Sequence, residues 1–117
     1  MSVHSILLLA LAMIPGAASA QSEVTGSVGW ALQGCRNFLA GADFQAFKQG
    51  YCGGVVSSLM TLGHDLSPGR RYCVGDGVTV EQATRVVIVY LERRPILLQE
   101  PFQALAREAF REAWPCR

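Results

Sequence analysis

Apolar side chains recur at helical spacing in four segments of the chain, and turn-forming residues separate these segments. The first segment spans about 26–40, with Thr25 or Ser27 as its N-cap. The second follows Asp43, an N-cap residue type, and ends near His64. Its predicted inward stripe comprises Phe44, Phe47, Tyr51, Val55, Leu59 and Leu62.

The third predicted helix opens with a capping box that begins at Thr79, and it ends before Pro95. Its inward positions are Ala83, Val86, Val87, Tyr90 and Leu91. Because residues 86–91 read VVIVYL, a β-strand is the alternative for this segment. The capping box, the proline stop and an i,i+4 pair of opposite charge, Glu81–Arg85, favour the helix.

The fourth predicted helix has Pro101 in its first turn and carries the strongest apolar stripe of the chain. The stripe comprises Phe102, Leu105, Ala106, Ala109, Phe110, Ala113 and Trp114. The charged residues between them are expected to face water: Arg107, Glu108, Arg111 and Glu112. Because short connections make consecutive helices antiparallel neighbours, the pattern predicts an all-α protein, a small up-and-down four-helix bundle.

Four cysteines are placed so that two meet at each end of this bundle. Cys35 lies near the end of the first helix and Cys52 lies about two turns into the second. Cys73 precedes the third helix, whereas Cys116 follows the fourth. We therefore predict disulfides Cys35–Cys52 and Cys73–Cys116 among three connectivities. Pairing Cys52 with Cys73 is the alternative, which requires the loop to climb back along the second helix.

The cysteine spacing argues against a metal or redox centre. The gaps of 17, 21 and 43 residues contain no C-x-x-C motif and no nearby histidine pair. We therefore predict structural disulfides, no metal ligand and no cofactor.

Composition and the N-terminal segment indicate one exported domain. The 117 residues are half apolar and 16% charged, and a net charge of +1 gives no support for nucleic-acid binding. Residues 6–14 read ILLLALAMI, which is too short to span a bilayer, and Ala18-Ser19-Ala20 is a signal-peptidase pattern. We expect a cleaved signal peptide at 1–20, with a buried N-terminal helix as the alternative. A single helical domain at 21–117, without stable membrane insertion, should remain.

The sequence gives little support for catalysis. His64 is the only histidine after the predicted signal, and adjacent residues on a helix, such as His64 and Asp65, point apart. The serines and cysteines lack a recognisable nucleophile motif, and the carboxylates are scattered over predicted solvated faces. We predict no catalytic residue and interpret the chain as a non-enzymatic protein.

Two segments are distinctive as contact surfaces. Residues 67–72 form a turn followed by Arg70, Arg71 and Tyr72, and arginine and tyrosine are enriched in interface hot spots. We predict that these three residues bind a partner, with a solvated surface loop as the alternative. Residues 96–98 are apolar within an inter-helix connection, where they either plug one end of the core or form an exposed contact patch.

Three glycines lie within the second predicted helix, at Gly50, Gly53 and Gly54. Each destabilises a helix interior by about 1 kcal/mol relative to alanine, so a compensating contact is expected. Gly50 and Gly54 share a face, which predicts close packing of a neighbouring backbone beside the Cys35–Cys52 bridge. A glycine floor beneath a ligand, or a dimer contact, is the alternative.

An ordered set of residues runs through the predicted helices and ends in the motif W-P-C. The set comprises Gly50-Tyr51-x-x-Gly54, Cys73, Gly77-Val78-Thr79-x-x-Gln82, Val86-Val87-x-x-Tyr90-Leu91, Pro95, Ala109 and Trp114-Pro115-Cys116. It resembles the Rap/Tai family of periplasmic immunity proteins from type VI secretion systems, and the resemblance covers about 32–116.

The resemblance implies a disulfide-stabilised helical protein, often a homodimer. Such a protein binds a peptidoglycan amidase toxin delivered by sister cells and occludes its catalytic cleft. The recurrent residues look structural, so they assign no contact residue. The alternative function is a periplasmic helical binding or chaperone-like protein without a toxin partner, which holds clients on residues 96–98.

Overall fold

The computed structural model describes residues 23–117, in which four α-helices pack around one core. The helices are α1 (Val28–Ala40), α2 (Ala46–Leu62), α3 (Val80–Glu92) and α4 (Phe102–Ala113). Short 3₁₀ turns occupy Gly63–Asp65 and Pro95–Leu97. This part of the chain contains no β-strand, so the predicted all-α four-helix bundle is confirmed and residues 86–91 are helical.

The predicted signal peptide at 1–20 lies outside the described residues. None of the helices in residues 23–117 is long and apolar enough to cross a bilayer.

Side-chain caps begin two of the helices. Ser27 Oγ accepts a hydrogen bond from the N–H of Trp30 at 3.4 Å, which starts α1. Thr79 Oγ1 accepts from the N–H of Gln82 at 3.1 Å, and Gln82 Oε1 accepts from the N–H of Thr79 at 2.9 Å. The predicted capping box is therefore confirmed, and it satisfies two backbone donors that the first turn of α3 leaves without helical partners.

The start of α2 differs from the prediction. Gln45 is the N-cap residue, with a left-handed φ of 58° and no side-chain capping bond, and α2 begins at Ala46. The predicted N-cap Asp43 is therefore wrong. Phe44, which was expected in the inward stripe, precedes the helix and is 60% exposed. The Gln45 carboxamide instead accepts a hydrogen bond from Asn37 Nδ2 at 2.8 Å, which joins the turn to α1.

The core is built mainly by α1, α3 and α4. α3 and α4 bury Ala83, Thr84, Val87, Ile88, Leu91, Phe102, Ala106, Ala109 and Phe110. In α2, only Cys52 and Val56 are fully buried, while Tyr51, Val55 and Leu59 pack against the core from its margin. The predicted α2 stripe is thus correct for its middle residues and wrong at its two ends.

The closest approach of α1 and α2 is at Gly34, because a Cβ atom there would overlap the carbonyl group of Lys48. The predicted close packing at Gly50 and Gly54 is wrong, since a Cβ at either position would meet no atom within 4 Å. A Cβ at Gly53 would make only ordinary contact with the ring of Phe38.

Both predicted disulfides are present. Cys35–Cys52 has a Cα–Cα distance of 5.3 Å, and Cys73–Cys116 has one of 5.0 Å. The first bridge joins α1 to α2. The second joins the segment before α3 to the segment after α4. On the loop-entropy account, closing these rings stabilises the fold by roughly 3 and 4 kcal/mol.

The connection before α4 caps α1. The N–H groups of Val28 and Gly29 donate to the carbonyl groups of Glu100 and Leu98, at 2.8 and 2.9 Å. These are helix-start donors that have no partner within their own helix. The backbone of residues 98–100 is therefore fixed, whatever the exposure of its side chains.

Candidate partner-binding surfaces

The arginine loop, residues 66–72, follows the 3₁₀ turn after α2 and leads into the Cys73–Cys116 bridge. The N–H of Arg70 donates to the carbonyl of Ser67 at 2.8 Å, which closes a turn. Arg71 Nε donates to the carbonyl of Leu66 at 3.2 Å. Both arginine side chains are exposed, and neither forms an ion pair within residues 23–117. The loop therefore presents two guanidinium groups to solvent.

Tyr72 does not share this exposure. Its side chain is fully buried, its Oη donates to the carbonyl of Leu59 at 2.6 Å, and its ring lies edge-on to Phe110 at 5.5 Å. A Cβ at Gly63 would meet the Tyr72 ring at 2.5 Å, so the turn after α2 closes directly over the ring. The expected exposure of Tyr72 is therefore wrong, because the chain turns inward here to reach the disulfide.

Burial also changes the ionisation of Tyr72. Loss of hydration raises the pKa of its hydroxyl above the usual tyrosine value, and the nearby Arg107 guanidinium partly opposes the rise. Arg107 was expected to face water, but it is half-buried, and its Nε has no hydrogen-bond partner within the described structure. Tyr72 thus anchors the arginine loop as a neutral group.

His64 lies beside the disulfide at the base of the arginine loop. Its Nδ1 is 3.6 Å from Cys73 Sγ, and the N–H of Cys73 donates to the carbonyl of Trp114 at 2.8 Å. Both cysteines of this bridge are disulfide-bonded, so no thiol nucleophile faces the imidazole. Within residues 23–117, no group of three or more His, Cys, Asp or Glu side chains is placed to hold a metal ion.

A second surface, the α3–α4 groove, encloses about 320 Å³ between the two helices. Its lining is apolar in the middle and charged at the edges: Arg85, Val86, Val89, Tyr90, Arg93, Ala109, Glu112 and Ala113. The Arg94 guanidinium lies 3.7 Å from the centre of the Tyr90 ring and binds Glu112 at 3.1 Å. The predicted Glu81–Arg85 ion pair is absent from the described structure, so Arg85 is available at the edge of the groove.

The apolar patch, residues 96–98, is exposed rather than inserted in the core. Ile96 is 89% exposed and Leu98 is also exposed, while Leu97 is partly buried. The structure therefore shows residues 96–98 as an exposed patch and not as a plug at one end of the core.

Sequence reasoning missed one further surface. Phe47 was expected to face inward, but it is 73% exposed and contacts the edge of Trp30, with 5.8 Å between ring centroids. Because Trp30 itself is buried beneath Lys48 and Tyr51, the first turn of α2 lies outside it. The sequence pattern gave no signal that Phe47 is exposed, because the apolar residues of α2 do not define a single inward face.

A scan against protein-family models matches residues 27–116 to the Rap1a immunity proteins. This range includes all four helices and both disulfides. The chain belongs to the Rap1a immunity protein family. Comparisons with curated proteins and with solved structures gave no match.

Membership of the Rap1a family gives these surfaces a common interpretation. Immunity proteins act by binding a toxin, and the family is generally non-enzymatic. The arginine loop, the α3–α4 groove and the apolar patch all lie within the matched range.

Proposed function

We propose that the chain is a periplasmic immunity protein of a type VI secretion system, which binds a peptidoglycan amidase toxin and occludes its catalytic cleft. The observation that carries this proposal is the Rap1a family match across residues 27–116. Two disulfides support an exported protein, since such bonds persist in oxidising compartments. The predicted signal peptide at 1–20 supports the same location.

The arginine loop is the proposed toxin-contacting surface. Arg70 and Arg71 provide exposed donors for carboxylate or carbonyl groups on the toxin, and guanidinium groups bind carboxylates in a bidentate manner. Tyr72 fixes the end of the loop in the core, and the Cys73–Cys116 bridge fixes the residue after it. An anchored loop loses less conformational entropy on binding than a mobile one, which favours tight association.

The arginine contribution can be tested with a candidate amidase toxin from the same genome, by calorimetric titration against the oxidised mature protein. The double variant Arg70→Ala/Arg71→Ala should weaken binding by about 2–4 kcal/mol, the range of interface hot spots. The comparison variant is Arg85→Ala/Arg93→Ala, which removes two exposed arginines of the α3–α4 groove, one on α3 and one at its C-cap. Equal losses in both double variants, or a larger loss in the control, would place the contact surface on α3 instead.

The homodimer implied by the family resemblance is part of the same proposal. Sedimentation equilibrium of the mature protein alone should give twice the protomer mass. A monomer at all concentrations would remove the dimer from the proposal without affecting toxin binding.

The exposure of Ile96 favours a second candidate function, a chaperone-like protein that holds apolar segments of periplasmic clients. On this hypothesis, the mature protein suppresses aggregation of several unrelated unfolded proteins, and Ile96→Ser abolishes the effect. A protein that binds its neighbouring toxin tightly and shows no such suppression supports immunity alone.

A further inference from the structure

The two disulfides lie in different surroundings. Cys35 and Cys52 are fully buried in the core between α1 and α2. Cys73 and Cys116 are half-buried, in the segments before α3 and after α4. Because thiol–disulfide exchange requires a thiolate to reach a sulfur atom, access strongly influences its rate. The folded protein therefore shields one bond and leaves the other accessible.

His64 distinguishes the accessible bond further. Its imidazole Nδ1 lies 3.6 Å from Cys73 Sγ, and the residue is exposed on the 3₁₀ turn after α2. The ring makes no other hydrogen bond within residues 23–117. An imidazole N–H beside a sulfur donates to the thiolate that forms there and so stabilises it. The contact is with Cys73, so it favours Cys73 as the sulfur that leaves.

We propose that Cys73–Cys116 is a thiol–disulfide exchange site, which dithiols reduce selectively in the folded protein, with His64 stabilising the departing Cys73 thiolate. Neither the family match nor the proposed immunity function assigns this chemistry to the bond. The proposal is independent of toxin binding.

The reaction is a two-electron reduction by a dithiol. One thiolate of the dithiol attacks Cys116 Sγ, and the Cys73–Cys116 bond breaks with its electron pair remaining on Cys73 Sγ. The second thiolate of the dithiol then attacks the dithiol-derived sulfur of the mixed disulfide and releases the Cys116 thiolate. The dithiol becomes a cyclic disulfide, and the two protons that it loses are available to the two cysteine thiolates.

The fold should survive this reduction. Tyr72 stays anchored by its buried ring and its hydrogen bond to Leu59, and the N–H of Cys73 still donates to Trp114. The Cys35–Cys52 bridge remains closed. Reduction therefore removes the covalent tie at the base of the arginine loop without removing the core beneath it.

The test uses the oxidised mature protein and dithiothreitol at neutral pH, without denaturant. Samples taken over time are alkylated with N-ethylmaleimide, and each disulfide is followed by peptide mass spectrometry. We expect Cys73–Cys116 to be reduced at least about tenfold faster than Cys35–Cys52, because of its access. His64→Ala should slow reduction of Cys73–Cys116 by about threefold to tenfold and leave Cys35–Cys52 unchanged.

Glutathione provides a second readout that exposure alone does not determine. As a monothiol it should be trapped in a mixed disulfide on Cys116, with Cys73 alkylated. Circular dichroism of the selectively reduced protein should retain the helical signal. Equal reduction rates for the two bonds, an unchanged rate in His64→Ala, or glutathione on Cys73 would each overturn the proposal.

Discussion

Gly63 lies at a close contact with Tyr72, whereas Gly54 is exposed on α2, so an added side chain has different surroundings at the two positions. A Cβ at Gly63 would meet both the ring and the carbonyl oxygen of Tyr72 at 2.5 Å, and backbone atoms cannot rotate away. A Cβ at Gly54 would point into open space on the outside of a helix. The two positions therefore form a matched pair for the same substitution.

Gly63→Ala should lower the free energy of unfolding by about 2–4 kcal/mol, because the added methyl group forces the turn away from Tyr72. Gly54→Ala should raise it by about 0.5–1 kcal/mol, because alanine is the better helix former. Urea denaturation followed by circular dichroism measures both. Comparable stability in the two variants would contradict the described packing around Tyr72.

The ionisation of Tyr72 gives a prediction for alkaline pH. Burial raises the pKa of Tyr72 in the folded protein above the unfolded value of 10.0, so the folded protein holds this proton more strongly. The resulting stability is fully present below pH 10 and is lost as the pH rises through the higher, folded pKa. Absorbance at 295 nm should show that Tyr72 ionises above the ordinary tyrosine pKa.

Tyr72→Phe is the control for that titration. The variant should lack the ionisation step above the ordinary tyrosine pKa and should be less stable near neutral pH by about 1 kcal/mol, because the hydrogen bond to Leu59 is lost. A raised ionisation step that persists in the variant would mean that Tyr72 does not cause it.

At the scale of the elements, the capping box of α3 is the clearest local determinant. Thr79→Ala should lower the free energy of unfolding by about 1 kcal/mol, since the N–H of Gln82 loses its acceptor. Asp43→Ala is the matched control, because α2 begins at Ala46 and its N-cap residue is Gln45, not Asp43. Its effect should stay within about 0.5 kcal/mol, as for ordinary surface changes. Urea denaturation that shows equal effects would contradict the assigned helix starts.

The sequence predicts α3 and α4 well because each has a single apolar face with polar residues opposite. It also predicts the disulfides, because the order of helices places each cysteine pair together. α2 is harder, since its apolar residues and glycines lie all around the helix and define no single inward direction. The left-handed Gln45 then moves the helix start, which leaves Phe44 before the helix, and Phe47 is exposed in its first turn.

Site residues are predicted less well than elements, for a related reason. Arg70, Arg71 and Tyr72 are consecutive and share the residue types of an interface, so the sequence treats them alike. Their burial depends on where α2 and α4 lie, and contacts with Leu59 and Phe110 remove Tyr72 from the surface. The sequence cannot supply such contacts between distant segments.

At the scale of the molecule, the net charge is +1, so electrostatic steering of a toxin depends on local groups. If the arginine loop contacts the toxin, the association rate should fall as salt rises, measured by stopped-flow mixing. Arg70→Ala/Arg71→Ala should remove most of this salt dependence, and Arg85→Ala/Arg93→Ala should preserve it. A salt dependence that persists without Arg70 and Arg71 would contradict contact by the loop.

The helical scaffold and the exposed loop have separate physical roles in this account. Helix packing, the capping box and the Cys35–Cys52 bridge maintain the fold, and none of them requires a partner. Arg70 and Arg71 are exposed without an ion pair in the described structure, so both are available for a contact outside the chain. Variants of Arg70 and Arg71 should therefore impair protection and leave stability unchanged.

The central claim is inhibition of a peptidoglycan amidase, and the most direct test is a titration of amidase activity. A candidate amidase toxin from the same genome is held at fixed concentration, and release of cleaved peptidoglycan is measured as oxidised mature protein is added. The account predicts a linear fall in activity to zero at a fixed stoichiometry. Full amidase activity in the presence of excess protein would contradict it.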